Sequence, residues 1–120
     1  MKLIAGPCVI ESYDVVREIA SRLKEAFPHE EFFFKASFKK ANRTKLSSFA
    51  GIQESEALNI LREIKKELGL KVCTDVHEVA DVAKVTDFVD VIQIPAFLCR
   101  QTDLIVASSQ SGAIVNIKKG

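Results

Sequence analysis

Several side chains in this sequence have the types and spacing that anion chemistry needs. Gln93 sits in the apolar run Val89 to Ile94 and is followed by Arg100, Gln101, Thr102 and Asp103. A strand buried on both faces favours Val and Ile, so Gln93 puts an amide where it must find partners. Pro95 has no N–H to give a sheet, so the strand should end near it and deliver a cation and amides at its carboxyl end. A second group is Lys35, Lys39, Lys40, Asn42, Arg43 and Thr44. Its guanidinium fork suits bidentate contact with phosphate, and Thr44 adds one more hydrogen-bond donor. Asn116 and Lys118 are two apart and fall on one side of a strand. Each group also has an ordinary alternative: a satisfied buried amide at Gln93, a surface Arg100, a solvated basic loop.

Other residues bear weaker signals. Cys8 follows Gly6-Pro7, where a thiolate could ligate a metal, although lone cysteines are most often small core residues. His77 follows Asp75 by two, which allows an acid–base pair or one group orienting the other; a structural histidine at a strand end is an equal reading. Cys73 and Cys99 read as packing residues and His29 as a surface one. CxxC, HExxH, GxSxG and Walker patterns are absent from the sequence.

The elements that must position these residues alternate along the chain. Lys2 to Val9 reads as a strand broken at Gly6-Pro7. Ser12 suits a helix N-cap, and Val16, Ile19, Ala20, Leu23 and Phe27 follow on one helical face up to Pro28. Glu31 to Phe38, with its Phe32-Phe33-Phe34 run, reads as a strand buried on both faces, and a polar loop follows to about Gln53. Ala57, Ile60, Leu61, Ile64 and Leu68 mark a second helix, with Gly69 as its stop. Lys71 to Val76 is a strand, Glu78 to Val85 a short helix, Val89 to Ile94 a strand, Thr102 to Ser109 a helix and Ala113 to Ile117 a fifth strand.

This alternation implies right-handed βαβ crossovers and a parallel sheet. A doubly wound sheet usually carries a Gly-rich turn after its first strand, and Gly6-Pro7-Cys8 offers none. A (β/α)8 TIM barrel puts its site at the carboxyl ends of many strands, which is where Cys8, Lys35 and Ser37, Asp75 and His77, Gln93, and Asn116 and Lys118 fall. A whole barrel takes about 250 residues, and the sequence has 120. Residues 1–120 are therefore expected to be the N-terminal portion of a single barrel domain, with its first five strands and four helices, incomplete by itself.

Composition bounds the partners. The chain is 48% hydrophobic and 28% charged, with a net charge of +1 and three cysteines. That balance is ordinary for a globular domain and argues against nucleic acid or an acidic membrane surface as partner. Apolar runs fall short of the roughly 20 residues that span a bilayer. The opening Met1 to Ala5 meets Gly6-Pro7 too soon for a signal peptide. The odd, widely spaced cysteines suggest reduced thiols and a cytoplasmic location.

Five segments taken together resemble a known family. They are Leu3 to Ser12 with Gly6-Pro7-Cys8, Phe34 to Phe38 with Lys40-Ala41-Asn42-Arg43, Thr74-Asp75-Val76-His77-Glu78, Ile92 through Leu104, and Asn116 to Gly120. Their order is similar to that of the 3-deoxy-D-manno-octulosonate 8-phosphate synthases, over about the N-terminal half of that barrel. The resemblance implies condensation of phosphoenolpyruvate with D-arabinose 5-phosphate, releasing phosphate, on the way to lipopolysaccharide. It implies that Lys35, Lys40, Gln93, the Ala96 amide and Lys118 surround phosphoenolpyruvate. Asn42, Arg43 and Thr44 would hold the sugar phosphate, with Arg100 assisting from the same or a neighbouring subunit. Asp75 and Lys40 would act nearest the reacting carbons.

Gly-Pro-Cys at residues 6–8 resembles the metal-dependent class, so Cys8 is expected to ligate iron, zinc or manganese, with the remaining ligands in later strands. His77 is left as a residue that shapes the site. A homo-oligomer, a tetramer by family, is also implied. Departures are Lys39 where the family commonly has Asp, Thr44-Lys45 for Ser-Ser, and Phe49-Ala50-Gly51-Ile52 for an Arg-Gly-Pro-Gly-like turn. Two alternatives stand: a 3-deoxy-D-arabino-heptulosonate 7-phosphate synthase using erythrose 4-phosphate, and a non-catalytic fragment that keeps a phosphate-binding surface. Residues 1–120 expressed alone, with exposed strand edges, are expected to be inactive and to self-associate. A cooperative, monomeric species in sedimentation and melting experiments would overturn the half-barrel expectation.

Overall fold

The computed structural model describes residues 2–39 and 52–120. Its elements are β1 (Lys2–Ala5), α1 (Tyr13–Ala26), β2 (Glu31–Lys35), α2 (Glu54–Leu68), β3 (Lys71–Asp75), α3 (Val79–Val85), β4 (Val91–Ile94), a single 3-10 turn (Ala96–Leu98), α4 (Thr102–Ser109) and β5 (Ile114–Ile117). All neighbouring strands pair in parallel, in the order β1-β2-β3-β4-β5. A doubly wound sheet reverses its strand order at a switch point. Here chain order and sheet order coincide, so right-handed crossovers stack every helix on one face. This is the first part of a (β/α)8 barrel.

The helices form where apolar spacing and local caps agree. Ser12 Oγ accepts the Val15 N–H at 3.3 Å and starts α1, which buries Val16 and Ala20. Helix α2 buries Ala57, Leu58, Ile60, Leu61 and Ile64 and ends at Gly69, whose φ of 62° is the left-handed conformation that glycine adopts without a Cβ penalty. The short α3 is secured by a capping box between Glu78 and Asp81. These helices and the outward side chains Phe32, Phe34, Val72, Ile92 and Ile94 share one core. Phe33, Cys73 and Val91 form a separate cluster on the other, barrel-interior face. Burial pushes the Cys73 thiol up to about 12, so it stays a neutral packing residue. The Phe32-Phe33-Phe34 run is buried throughout, as a strand covered on both faces requires.

All five strands are shorter than the sequence pattern suggests, β3 and β5 by one residue and the others by more, for local reasons. β1 ends at Ala5, two residues before Pro7, which has no N–H to give the sheet. β2 ends at Lys35, although Ala36 N still donates to Cys73 O at 3.3 Å. β4 starts at Val91 because Val89 N is taken by Val85 O at 3.0 Å, closing the turn out of α3. Asp90 then holds the head of β3, accepting from Val72 N at 2.8 Å and from Lys65 Nζ at 2.7 Å. The 3-10 turn after Pro95 was not expected.

Gly6 sets how closely β1 and β2 can approach. A Cβ at Gly6 would lie 1.8 Å from the Lys35 carbonyl oxygen, a backbone atom with no freedom to yield. Gly6→Ala, in a protein carrying the complete barrel, is expected to cost about 3 kcal/mol through forced separation of the two strands. Urea unfolding measures this, and an unchanged midpoint would show that β1 can shift without loss.

Candidate active site at the carboxyl ends of the strands

Strand pairing stacks side chains on the barrel-interior face in layers. Lys35 pairs with Cys73 and Cys73 with Val91, and one step further along, Asp75 pairs with Gln93 and Gln93 with Asn116. Side chains two residues apart on a strand point the same way, so the polar residues lie directly above the apolar cluster. They open into a cleft of about 360 Å³ lined by Cys8, Lys35, Ser37, Lys39, Asp75, His77, Gln93, Pro95, Ala96, Phe97 and Lys118. A larger hollow, about 600 Å³, lies at the opposite end of the sheet. There Arg62 and Lys65 are already paired with Asp87 and Asp90, at 3.3 and 2.7 Å. Conserved chemistry in a barrel belongs to the carboxyl end, and the amino end serves stability.

Asp75 is the hub of the cleft. Its Oδ1 accepts from the Ser37 hydroxyl and lies 3.6 Å from Lys35 Nζ, which also reaches Ser37 Oγ at 3.4 Å. Its Oδ2 lies 3.4 Å from His77 Nε2. The His77 side chain is only 10% exposed, and its Nδ1 has no hydrogen-bond partner among the described residues. The backbone N–H groups of His77 and Glu78 both donate to Asp81 Oδ2, at 3.0 and 3.2 Å, which fixes the turn that presents the imidazole. Phe97 covers the ring with centroids 6.2 Å apart. The paired reading of Asp75 and His77 therefore has a geometric basis.

Gln93 is a satisfied buried amide that also lines the cleft. It is buried and its Oε1 accepts from Asn116 Nδ2 at 3.1 Å, which leaves its own NH2 to donate into the cleft. Lys118 lines the same cleft and has no ion pair among the described residues. Ala96, at the start of the 3-10 turn, is also in the lining. Arg100 is exposed and does not line the cleft, so this chain does not bring it to the other candidates. Lys40, Asn42, Arg43 and Thr44 lie outside the described residues. Ser37, placed at a strand end with Lys35 by the sequence but given no role there, stands two residues after Lys35 and so on the same face.

The donor set bears on a metal. Cys8 offers an exposed thiol at the cleft. Among the described residues, no three His, Cys, Asp or Glu side chains gather as a metal-holding group. Asp75 and His77 face each other and the Lys35 ammonium, an arrangement for orienting protons more than for coordination. The described residues thus fit one arm of a metal centre and no more.

Comparison with known proteins covers the chain from end to end. The chain is 55% identical to the 2-dehydro-3-deoxyphosphooctonate aldolase of Campylobacter jejuni, with all of this chain and 45% of that protein covered. It is 56% identical to the protein of the same name from Wolinella succinogenes, covering all of this chain and 46% of the relative. For the Helicobacter pylori protein of that name the identity is 56%, over 98% of this chain and 44% of the relative. The chain spans about half the length of the curated relatives it matches. The model of the DAHP synthetase I family matches residues 1–120, and the chain belongs to that family.

Proposed function

We propose that residues 1–120 are the N-terminal part of a single barrel domain that condenses phosphoenolpyruvate with D-arabinose 5-phosphate. The products would be 3-deoxy-D-manno-octulosonate 8-phosphate and inorganic phosphate, with one water consumed. The observation that carries this reading is the whole-chain likeness to proteins named 2-dehydro-3-deoxyphosphooctonate aldolase. The alternative aldose, erythrose 4-phosphate, is suggested only by the broader family description.

The chemistry asks for a bond between C3 of phosphoenolpyruvate and the aldehyde carbon, with the aldehyde oxygen taking up a proton. Water adds at C2, and the C2–O bond to phosphate breaks to leave the ketone. Lys35, the Gln93 NH2, the Ala96 amide and Lys118 would hold the phosphoenolpyruvate anion. Their common lining of the cleft supports that assignment. Asp75, fastened between Lys35, Ser37 and His77, would orient the attacking water and take its proton. Lys40 would stand beside the reacting carbons, Asn42, Arg43 and Thr44 would grip the sugar phosphate, and Arg100 would assist from a neighbouring subunit of a homo-oligomer. A divalent metal, iron, zinc or manganese, bound through Cys8 and further ligands, would polarise a carbonyl oxygen. No described helix is long and apolar enough to cross a membrane, and a cytoplasmic enzyme fits the phosphorylated substrates.

Two measurements test this reading. Product analysis of the complete enzyme with both aldose phosphates should give the eight-carbon acid, and a preference for erythrose 4-phosphate would replace the proposed substrate. Cys8→Ala should abolish metal-dependent turnover, a loss of at least about 100-fold. Undiminished activity of the unaltered enzyme in a strong chelator would refute the metal assignment.

A further inference from the structure

A primary amide has a donor end and an acceptor end of nearly the same shape, so its hydrogen-bond partners decide which way it faces. At Gln93 those partners come from both neighbouring strands. Register places Asp75 on one flank of Gln93 and Asn116 on the other. Asn116 Nδ2 donates to Gln93 Oε1 at 3.1 Å, and Gln93 is buried. On the other flank stands the Asp75 carboxylate, whose two oxygens already face Ser37, Lys35 and His77. A Gln93 carbonyl oxygen turned that way would oppose acceptor to acceptor with no proton between them, so Asp75 disfavours the reversed amide. Both flanks therefore set the same sense: carbonyl oxygen toward β5, NH2 toward the cleft. Asn116 itself is not part of the cleft lining.

We infer that Asn116 is a positioning residue: by donating to Gln93 it keeps the Gln93 NH2 facing the cleft and so sets affinity for phosphoenolpyruvate. The inference rests on the functional reading above, because it takes the anion in the cleft to be that substrate. A reversed amide would present a carbonyl oxygen to the anion and replace a hydrogen bond to a charged group by repulsion between acceptors. The reversal needs almost no extra room, so one substitution at residue 116 suffices to bring it about. Asn116→Asp keeps the side-chain shape but offers only acceptors, which draws the Gln93 NH2 toward β5.

In the complete enzyme, Asn116→Asp should raise KM for phosphoenolpyruvate about thirty-fold, and so should its Kd, measured by calorimetry without the aldose. Both kcat and KM for arabinose 5-phosphate should stay within about two-fold, since what is lost is uniform binding of one substrate. Asn116→Ala, which leaves Gln93 free to take either sense, should cost about three-fold. An unmoved Kd in Asn116→Asp, equal losses in the two variants, or a parallel rise in KM for both substrates would overturn the inference. A double-mutant cycle separates the added charge: in a Gln93→Leu background, Asn116→Asp should change the Kd by no more than about two-fold. A full loss persisting there would mean direct repulsion and would overturn it too. Neutron diffraction from deuterium-exchanged enzyme gives a readout that needs no substrate. Deuterons should lie on the Gln93 atom that faces the cleft, and deuterons on the atom facing Asn116 would reverse the assignment. If the unaltered enzyme does not bind phosphoenolpyruvate, the functional reading falls, and the neutron density alone decides what Asn116 does to Gln93.

Discussion

Parallel pairing in a fixed register is the constraint on which the rest of the molecule depends. Side chains alternate between faces with a period of two, so a slip of one residue would send Asp75, Gln93 and Asn116 outward under the helices. It would also bring Thr74, Ile92 and Val115 into the barrel interior. Neither outcome is tolerable: a carboxylate would be buried in apolar packing, and β-branched side chains would lose their partners across the helix layer. The helices enforce the register, because Phe34, Val72, Ile92 and Ile94 are fully buried against them. The cleft is therefore a by-product of core packing on the opposite face of the same sheet.

At the first pair of strands that constraint is steric. Gly6 lets β1 run against the Lys35 carbonyl, and the chain then turns at Pro7 to leave Cys8 at the cleft. The glycine and the cysteine are thus linked parts of one feature, the first setting the approach and the second using it. At the other end, the buried Gln93 amide is satisfied by Asn116 without losing its donor, so β4 and β5 are joined by side chains as well as by backbone.

Much of this was legible in the residues because it rests on local periodicity. The helical faces, the N-cap at Ser12, the stop at Gly69 and the strand order needed only spacing and turn chemistry. Strand ends were less legible, since Val89 is claimed by a carbonyl of the preceding turn rather than by a neighbouring strand. The 3-10 turn after Pro95 left no periodic trace in so few residues. At the site, the cations and Gln93 stood out by type, whereas the contacts of Ser37 and Lys39 depend on partners about 40 residues away in sequence. Arg100 follows the turn from Ala96 to Leu98 and is not among the residues that line this chain's own cleft.

Charge around the cleft is largely compensated within the chain. Lys35 faces Asp75, and Lys39 is surrounded by Glu54, Glu78 and Asp81, so neither ammonium presents an uncompensated charge. Lys118 alone among the described lining cations is without an acidic partner. The proposed substrates bring two phosphates and a carboxylate, and burying anions without matching cations is costly. Lys40 and Arg43 carry the nearest further cations in the sequence.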